Sequence, residues 1–143
     1  AFIGSGPLHA ALQHRAHVLE QEMGASIHFP GFINQSALVD WYLAADVVVL
    51  PSRRAGETWG LVANEAMQAG CAVVVSEAVG CAANFGDWER FRTIPVGSAS
   101  HLASALVDLS RFPRSFTWAS SGLQGYSIEA AARSLAGAIR ELG

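Results

Sequence analysis

The sequence has 143 residues and a mass of 15.1 kDa, which suits one domain and is too short for two of ordinary size. Hydrophobic residues make up 51% of it and charged residues 15%, and this composition excludes an intrinsically disordered chain. The formal net charge of −3 argues against a strongly basic surface, so we expect no nucleic-acid partner.

Short runs of β-branched and aromatic residues alternate with longer segments of helical periodicity. The first predicted elements are a strand at 2–3, a helix from Pro7 to Met23, a strand at 26–29, a helix that Ser36 begins, and a strand at 46–51. Then follow a helix over 60–68, a strand at 72–75, a weaker strand at 93–96, a helix from Ser98 or Ser100 to Leu109, and a helix from Ser127 to Leu142. Residues 80–90 carry no clear pattern.

The alternation of strands and helices is typical of α/β proteins and predicts a doubly wound, Rossmann-like parallel sheet with helices on both faces. We expect it to form a single domain over residues 1–143. The continuous apolar runs at 46–51 and 72–75 predict strands that are buried on both faces. Gly24 and Gly70 stand where helices are expected to end.

Cysteine and histidine usage indicates neither a metal site nor a disulfide framework. Cys71 and Cys81 match no zinc motif, and we expect buried, reduced thiols in a cytoplasmic protein. The histidines show no metal-ligand spacing, so we expect no metal cofactor. The longest apolar stretch, 69–85, is interrupted by polar residues and glycines, so we expect no transmembrane segment, while peripheral membrane contact stays open.

The densest candidate site lies at 51–67, where a buried strand leads through a polar loop into a helix. Ligands of parallel sheets bind beyond the carboxyl ends of the strands, and this loop lies at such an end. The first N–H groups of the following helix are unpaired and favour an anion. Glu57 precedes this turn and Glu65 follows it, so both carboxylates are able to face one cleft. Solvent-exposed charges are the alternative explanation for such a pair.

This arrangement resembles the E-x7-E motif of retaining GT-B glycosyltransferases, in particular glycosyltransferase family 4, also called group 1. The pattern Pro51-Ser52, Glu57, Gly60-Leu61-Val62, Glu65-Ala66-Met67 and Gly70 carries the resemblance. Further segments follow in the family's order, namely Gly4-Ser5-Gly6-Pro7, Phe29-Pro30-Gly31, Ala45-Asp46-Val47 and Ala72-Val73-Val74-Val75-Ser76. The match is close over residues 1–80 and follows only the order of elements beyond them.

The resemblance implies a donor site for a nucleoside-diphosphate sugar, without a metal. Glu65 would hold the ribose hydroxyls, and Glu57 would contact the donor sugar near the reacting end as the catalytic-side carboxylate. Backbone amides would meet the sugar and the diphosphate at Thr58, Trp59, Gly60 and Leu61. The base would lie against Phe32 and Ile33, while Gly4 and Gly6 would allow close approach of the nucleotide.

The chain also departs from the family's pattern. The segment Gly80-Cys81-Ala82-Ala83-Asn84 replaces a Gly-Gly pair and an acidic turn, which concerns the acceptor side. The resemblance further implies that the N-terminal acceptor domain, the first strand of this domain and the phosphate-binding Arg and Lys lie outside the chain. We therefore expect the chain alone to transfer no sugar and to be either poorly stable or self-associated. We also expect residues 2–4 and 47–50 not to pair with each other.

The favoured interpretation is thus the donor-binding half of a retaining glycosyltransferase. A nucleotide-sugar epimerase with the GT-B fold is one alternative, because it would bind the same donor. A non-catalytic module that binds a nucleotide or a protein partner is the other.

Overall fold

The computed structural model describes residues 1–53 and 58–142, and the chain divides into two compact units, Ala1–Leu38 and Val39–Gly143. The described strands are β1 Val47–Leu50, β2 Ala72–Ser76 and β3 Phe91–Ile94. The described helices are α1 His9–Met23, α2 Gln35–Ala44, α3 Leu61–Gln68, α4 Ala82–Phe85, α5 Ala99–Leu109, α6 Ser120–Leu123 and α7 Ile128–Leu142, with a 3-10 turn at Gln124–Tyr126.

The first unit contains α1 and a single parallel bridge between Ile3 and Gly31. The helix ends as predicted, because Gly24 adopts a left-handed conformation with φ of 65° and bonds back to Glu20. The prediction of a strand at 26–29 is wrong. The backbone N–H of Ile27 donates instead to the Glu20 carboxylate at 2.7 Å, so a side chain takes the place of a ladder partner.

The second unit contains the predicted parallel sheet, in the order β1-β2-β3. Val47 pairs with Ala72 in β2, and Val73 of β2 pairs with Phe91 in β3. Every residue of β2 is buried, as predicted for a central strand. The expectation that β1 is buried on both faces is wrong, because β1 forms one edge of this described sheet and its residues are half-buried.

Helices cover both faces of β2, as predicted. Alternate residues of β2, Ala72 and Val74, pack with Ala105 and Leu109 of α5 on one face. The other face is covered by α3, whose buried residues are Ala63, Ala66 and Met67. This packing fixes α3 beside the central strand, and α3 is the helix that carries Glu65.

Local signals placed several element ends correctly. Gly70 follows the end of α3 with φ of 83°, and Ser98 caps α5 by accepting from His101. The cap of α2 is Asn34 rather than Ser36, since the Asn34 carboxamide accepts from Ala37 N–H at 3.0 Å.

Two elements differ from the prediction. The strand expected at 93–96 is β3, two residues earlier, because Pro95 has no N–H to donate to a ladder. Residues 80–90, which carried no pattern, include the short helix α4.

The carboxyl-terminal helix α7 has no buried residue in its described length. Its large apolar side chains Ile128, Leu135, Ile139 and Leu142 are between 61% and 89% exposed. Among the described helices, none has both the length and the hydropathy needed to cross a bilayer. Both cysteines are free and buried, as predicted.

Candidate functional site

The amino end of α3 is built on a glycine that no other residue can replace without movement. Gly60 caps the helix in a left-handed conformation with φ of 93°. A β-carbon at this position would lie 2.5 Å from Val79 Cγ1 and 3.2 Å from Leu50 Cδ2. The turn before α3 is therefore packed against the ends of β1 and β2, and α3 begins at the carboxyl edge of the sheet.

A second loop, after β2, holds the same turn in place. The N–H of Cys81 donates to the carbonyl of Trp59 at 2.9 Å, and Gly80 lies against the carbonyl of Thr58. At the end of β2, the Ser76 hydroxyl donates to the Ser52 carbonyl at 2.5 Å. The backbone around Thr58, Trp59 and Gly60 is thus held by contacts with the loop after β2. That this backbone and Leu61 meet a donor stays a prediction.

Glu65 lies on the second turn of α3 and is half-buried. Its Oε2 accepts a hydrogen bond from the Tyr42 hydroxyl at 2.9 Å, across 23 residues of sequence. Tyr42 stands near the end of α2 and is only 7% exposed. Burial, and secondly the hydrogen bond to Glu65, raise the pKa of Tyr42 far above its ordinary value, so the hydroxyl remains a donor at neutral and moderately alkaline pH.

The Trp59 side chain packs against other aromatic rings and also borders a cleft. Its ring packs edge-on against Phe85 at 6.1 Å between centroids, and it lies at the same distance from Tyr126. Beside these rings opens a cleft of about 310 Å³. The cleft is lined by Trp59, Leu61, Asn64, Tyr126, Ser127 and Ser134, among others. Asn64 contributes a buried carboxamide oxygen that has no hydrogen-bond donor within the described part of the chain.

The site residues predicted near the amino terminus lie in the first unit. Gly4 has φ of 121°, donates its N–H to Gly31 at 2.8 Å, and has open space on the side where a β-carbon would stand. Gly4 and Gly6 line a cavity of about 300 Å³ together with Phe2 and Phe29, whose rings stack.

The two residues predicted to meet the base differ in exposure. Phe32 is 81% exposed, and Ile33 is half-buried. An exposed aromatic ring on a loop is an available surface for stacking, whereas the half-buried Ile33 offers less of its side chain to a ligand.

Glu57 lies outside the residues that the structure describes. Across the described ranges, 1–53 and 58–142, no three His, Cys, Asp or Glu side chains cluster in a way that suits a metal ion.

The sequence interpretation missed Tyr42 as a site residue. Its spacing with Leu38, Val39 and Leu43 suggests an ordinary apolar face of α2. The available signal was a single hydroxyl on that face, which needs a hydrogen-bond partner once it is buried.

Comparison with known proteins identifies a family for most of the chain. A model of the family described as glycosyl transferases, group 1, matches residues 1–111. The chain is 36% identical over 112 residues to a D-inositol 3-phosphate glycosyltransferase of Streptomyces bingchenggensis, covering 77% of this chain and 24% of that protein. It is also 36% identical over 112 residues to D-inositol 3-phosphate glycosyltransferase 2 of Catenulispora acidiphila, covering 76% of this chain and 26% of that protein.

A third relative comes from an archaeon. An uncharacterized glycosyltransferase of Methanocaldococcus jannaschii is 42% identical over 77 residues, which cover 54% of this chain and 19% of that protein. The chain therefore spans about a quarter, or less, of the length of these curated relatives.

Proposed function

Since the chain belongs to the group 1 glycosyltransferases, we propose that it binds a nucleoside-diphosphate sugar as the donor for glycosyl transfer with retention of anomeric configuration. The observation that carries the proposal is the spacing of two features on α3. The backbone N–H groups that begin the helix lie at its first turn, and the Glu65 carboxylate, which accepts from Tyr42, lies one turn further. A nucleoside diphosphate carries its anionic phosphates and its ribose hydroxyls on opposite sides of one sugar, so it could address both features.

The first turn of α3 is suited to phosphate. The N–H groups that begin an α-helix lack the regular i−4 acceptor, and the positive end of the helix dipole favours an anion there. Among them, the N–H of Ala63 donates to the Gly60 carbonyl at 2.8 Å. The backbone at 58–61 is held by Gly80 and Cys81, so its amides are oriented before a ligand arrives. Binding then costs little reorganisation.

The carboxylate of Glu65 is suited to a pair of ribose hydroxyls. An ionised carboxylate is an acceptor of strong, charge-assisted hydrogen bonds, and two neighbouring hydroxyls are able to donate to it. In the first unit, open space beside Gly4 and the exposed ring of Phe32 suit close approach of a nucleotide and stacking of its base. We assign to Glu57 the contact with the donor sugar.

In the proposed reaction, the bond between the anomeric carbon and the diphosphate oxygen breaks. The acceptor hydroxyl oxygen forms the new bond on the same face, and its proton leaves with the nucleoside diphosphate. The N–H groups of α3 stabilise the negative charge that develops on the leaving oxygen, and no metal is required for this. The acceptor would bind to an N-terminal domain, and an Arg and a Lys that follow the first strand of this domain would complete the phosphate site.

The test has two stages, both on the full-length protein. Calorimetry with UDP, GDP and ADP should give saturable binding of at least one nucleoside diphosphate, and absence of binding to all three would favour a non-catalytic module. Product analysis by NMR with the matching nucleotide sugar should then show a glycoside with the donor's anomeric configuration. Inversion of that configuration, or conversion of the donor without an acceptor as in an epimerase, would contradict the proposed reaction.

A further inference from the structure

We propose that Tyr42 is a positioning residue for Glu65, fixing the carboxylate in the orientation that binds the nucleotide's hydroxyls. The inference rests on the proposed function, because it assigns a role to Tyr42 through the ligand contact of Glu65. It adds a residue from α2, outside the loop and helix that carry the motif.

The first support is the geometry of the contact. The Tyr42 hydroxyl donates to Glu65 Oε2 at 2.9 Å, and the ring around it is almost fully buried. A glutamate side chain has three rotatable bonds, and ordering it costs conformational entropy. A rigid, buried phenol that bonds one oxygen reduces this cost before the ligand binds.

The second support is the way in which Tyr42 itself is fixed. Its carbonyl oxygen accepts from the Cys71 thiol at 3.0 Å and from Arg114 Nη2 at 3.2 Å. The same Arg114 nitrogen reaches the carbonyl of Ala69 at 3.4 Å, just beyond α3. One guanidinium therefore ties the carboxyl-terminal ends of α2 and α3 together, where unpaired carbonyls and the negative end of each helix dipole favour a cation.

These contacts join α2 and α3 at two places. Arg114 holds their carboxyl ends, and the Tyr42–Glu65 hydrogen bond joins their side chains. A second cation contact is weaker, since Arg114 Nη1 lies 3.8 Å from the exposed Asp46 carboxylate. The orientation of Glu65 is thus determined by packing on its own unit and not by its helix alone.

A double-mutant cycle on the full-length protein separates positioning from general stability. The variants are Tyr42→Phe, Glu65→Ala and their combination, and the readout is calorimetric affinity for the nucleoside diphosphate that binds most tightly among UDP, GDP and ADP. We expect Tyr42→Phe to weaken binding by about tenfold, as expected for a lost hydrogen bond to a charged group. In the Glu65→Ala background the same substitution should change affinity by less than about twofold, because no carboxylate remains to be oriented.

The kinetic signature adds a second readout. Tyr42→Phe should raise KM for the donor more than it lowers kcat, since it acts on binding of the nucleotide. Asp108→Ala serves as a matched control, because it also removes a hydrogen bond onto a carboxylate, the 2.7 Å bond from Arg92 Nε, on the α5 side of the sheet. It should leave nucleotide affinity unchanged.

Three results would overturn the inference. Equal loss of affinity from Tyr42→Phe in both backgrounds would show a general structural role and overturn the inference. Unchanged affinity in Tyr42→Phe, with a clear loss in Glu65→Ala, would also overturn it while leaving the proposed function intact. Unchanged affinity in Glu65→Ala would overturn the proposed role of Glu65 itself, and with it the inference.

Discussion

The carbonyl oxygen of Thr58 lies directly against Gly80, so close that a β-carbon at position 80 would overlap it. The two residues belong to different loops, one after β1 and one after β2, and the N–H of Cys81 binds the carbonyl of Trp59 beside them. The absence of a β-carbon at Gly80 therefore allows the loop after β1 to approach the loop after β2 this closely. The backbone that begins α3 is shaped by this contact.

This contact predicts that Gly80→Ala destabilises the fold. The added methyl group meets a backbone atom rather than a flexible side chain, so one of the two loops must move. We expect a loss of about 1–3 kcal/mol in the free energy of unfolding, the usual range for overpacking. Urea denaturation followed by circular dichroism measures it.

Gly137→Ala is the matched control for that experiment. Gly137 lies in α7, and a β-carbon there has open space. Alanine is favoured over glycine in a helix interior by about 1 kcal/mol, so the control should be as stable as the original chain or more stable. Equal stability of Gly80→Ala and the original chain would mean that the loops are not interlocked as the structure shows.

Substitution of each glutamate of the motif should have a different kinetic effect in the full-length protein. Glu65→Ala should weaken nucleoside-diphosphate binding by about 1–3 kcal/mol, because charge-assisted hydrogen bonds to the ribose are lost. Glu57→Ala should lower turnover more than nucleotide affinity, because its assigned contact is with the sugar. Calorimetry and steady-state kinetics on both variants measure the difference, and the opposite pattern would reverse the two roles.

The sequence predicted correctly those features of the fold that depend on residues close together in the chain. The unbroken apolar run at 72–75 indicated a central strand, Gly70 an ending helix and Ser98 a cap, and each of these signals acts within a few residues. The location of the site at the carboxyl edge of the sheet was inferred from local strand and loop composition too, and it stays a prediction.

The errors arose where distant contacts decide the structure. The Glu20 side chain takes the N–H of Ile27 that a strand would have paired, and the half-burial of β1 depends on which strands flank it. The Tyr42–Glu65 hydrogen bond joins residues 23 positions apart on two helices, so no spacing rule reveals it. The sequence therefore predicted which carboxylate to examine, but not what holds it.

Alkaline pH should destabilise the fold through Cys71. Burial raises the pKa of this thiol, and the opposing charges of Arg114 and Arg90 are too weak to reverse the shift. Above about pH 8.5, the ordinary pKa of a thiol, the unfolded chain loses this proton while the folded chain keeps it. The free energy of unfolding therefore falls as pH rises, by up to about 1.4 kcal/mol per pH unit for this group.

Cys71→Ser tests that contribution. The serine hydroxyl can still donate to the Tyr42 carbonyl but does not titrate in this range. Urea denaturation at pH 7, 8, 9 and 10 should give a shallower loss of stability for Cys71→Ser than for the original chain, whatever its stability at pH 7. Parallel curves between pH 8.5 and 10 would show that the thiol is not the source. Tyr42, whose pKa is also raised, should add to the loss only at higher pH.

The exposed face of α7 should cause the isolated chain to self-associate. Ile128, Leu135, Ile139 and Leu142 follow one another at intervals of seven, four and three residues, which aligns them in one stripe on the helix. Each is at least 61% exposed, and contiguous apolar surface of this kind promotes association. We expect the weight-average mass in sedimentation equilibrium to rise with concentration.

Substitution within the stripe should shift that equilibrium, whereas the same change of charge elsewhere on α7 should not. Leu135→Lys combined with Ile139→Lys places two cations on the apolar face, and the mass should then approach that of a monomer at all concentrations. Glu141→Lys changes the net charge by the same amount but lies about 130° around the helix from the centre of the stripe. The control should therefore associate like the original chain. If both variants dissociate equally, charge repulsion rather than the apolar face controls association, and if neither does, another surface is responsible.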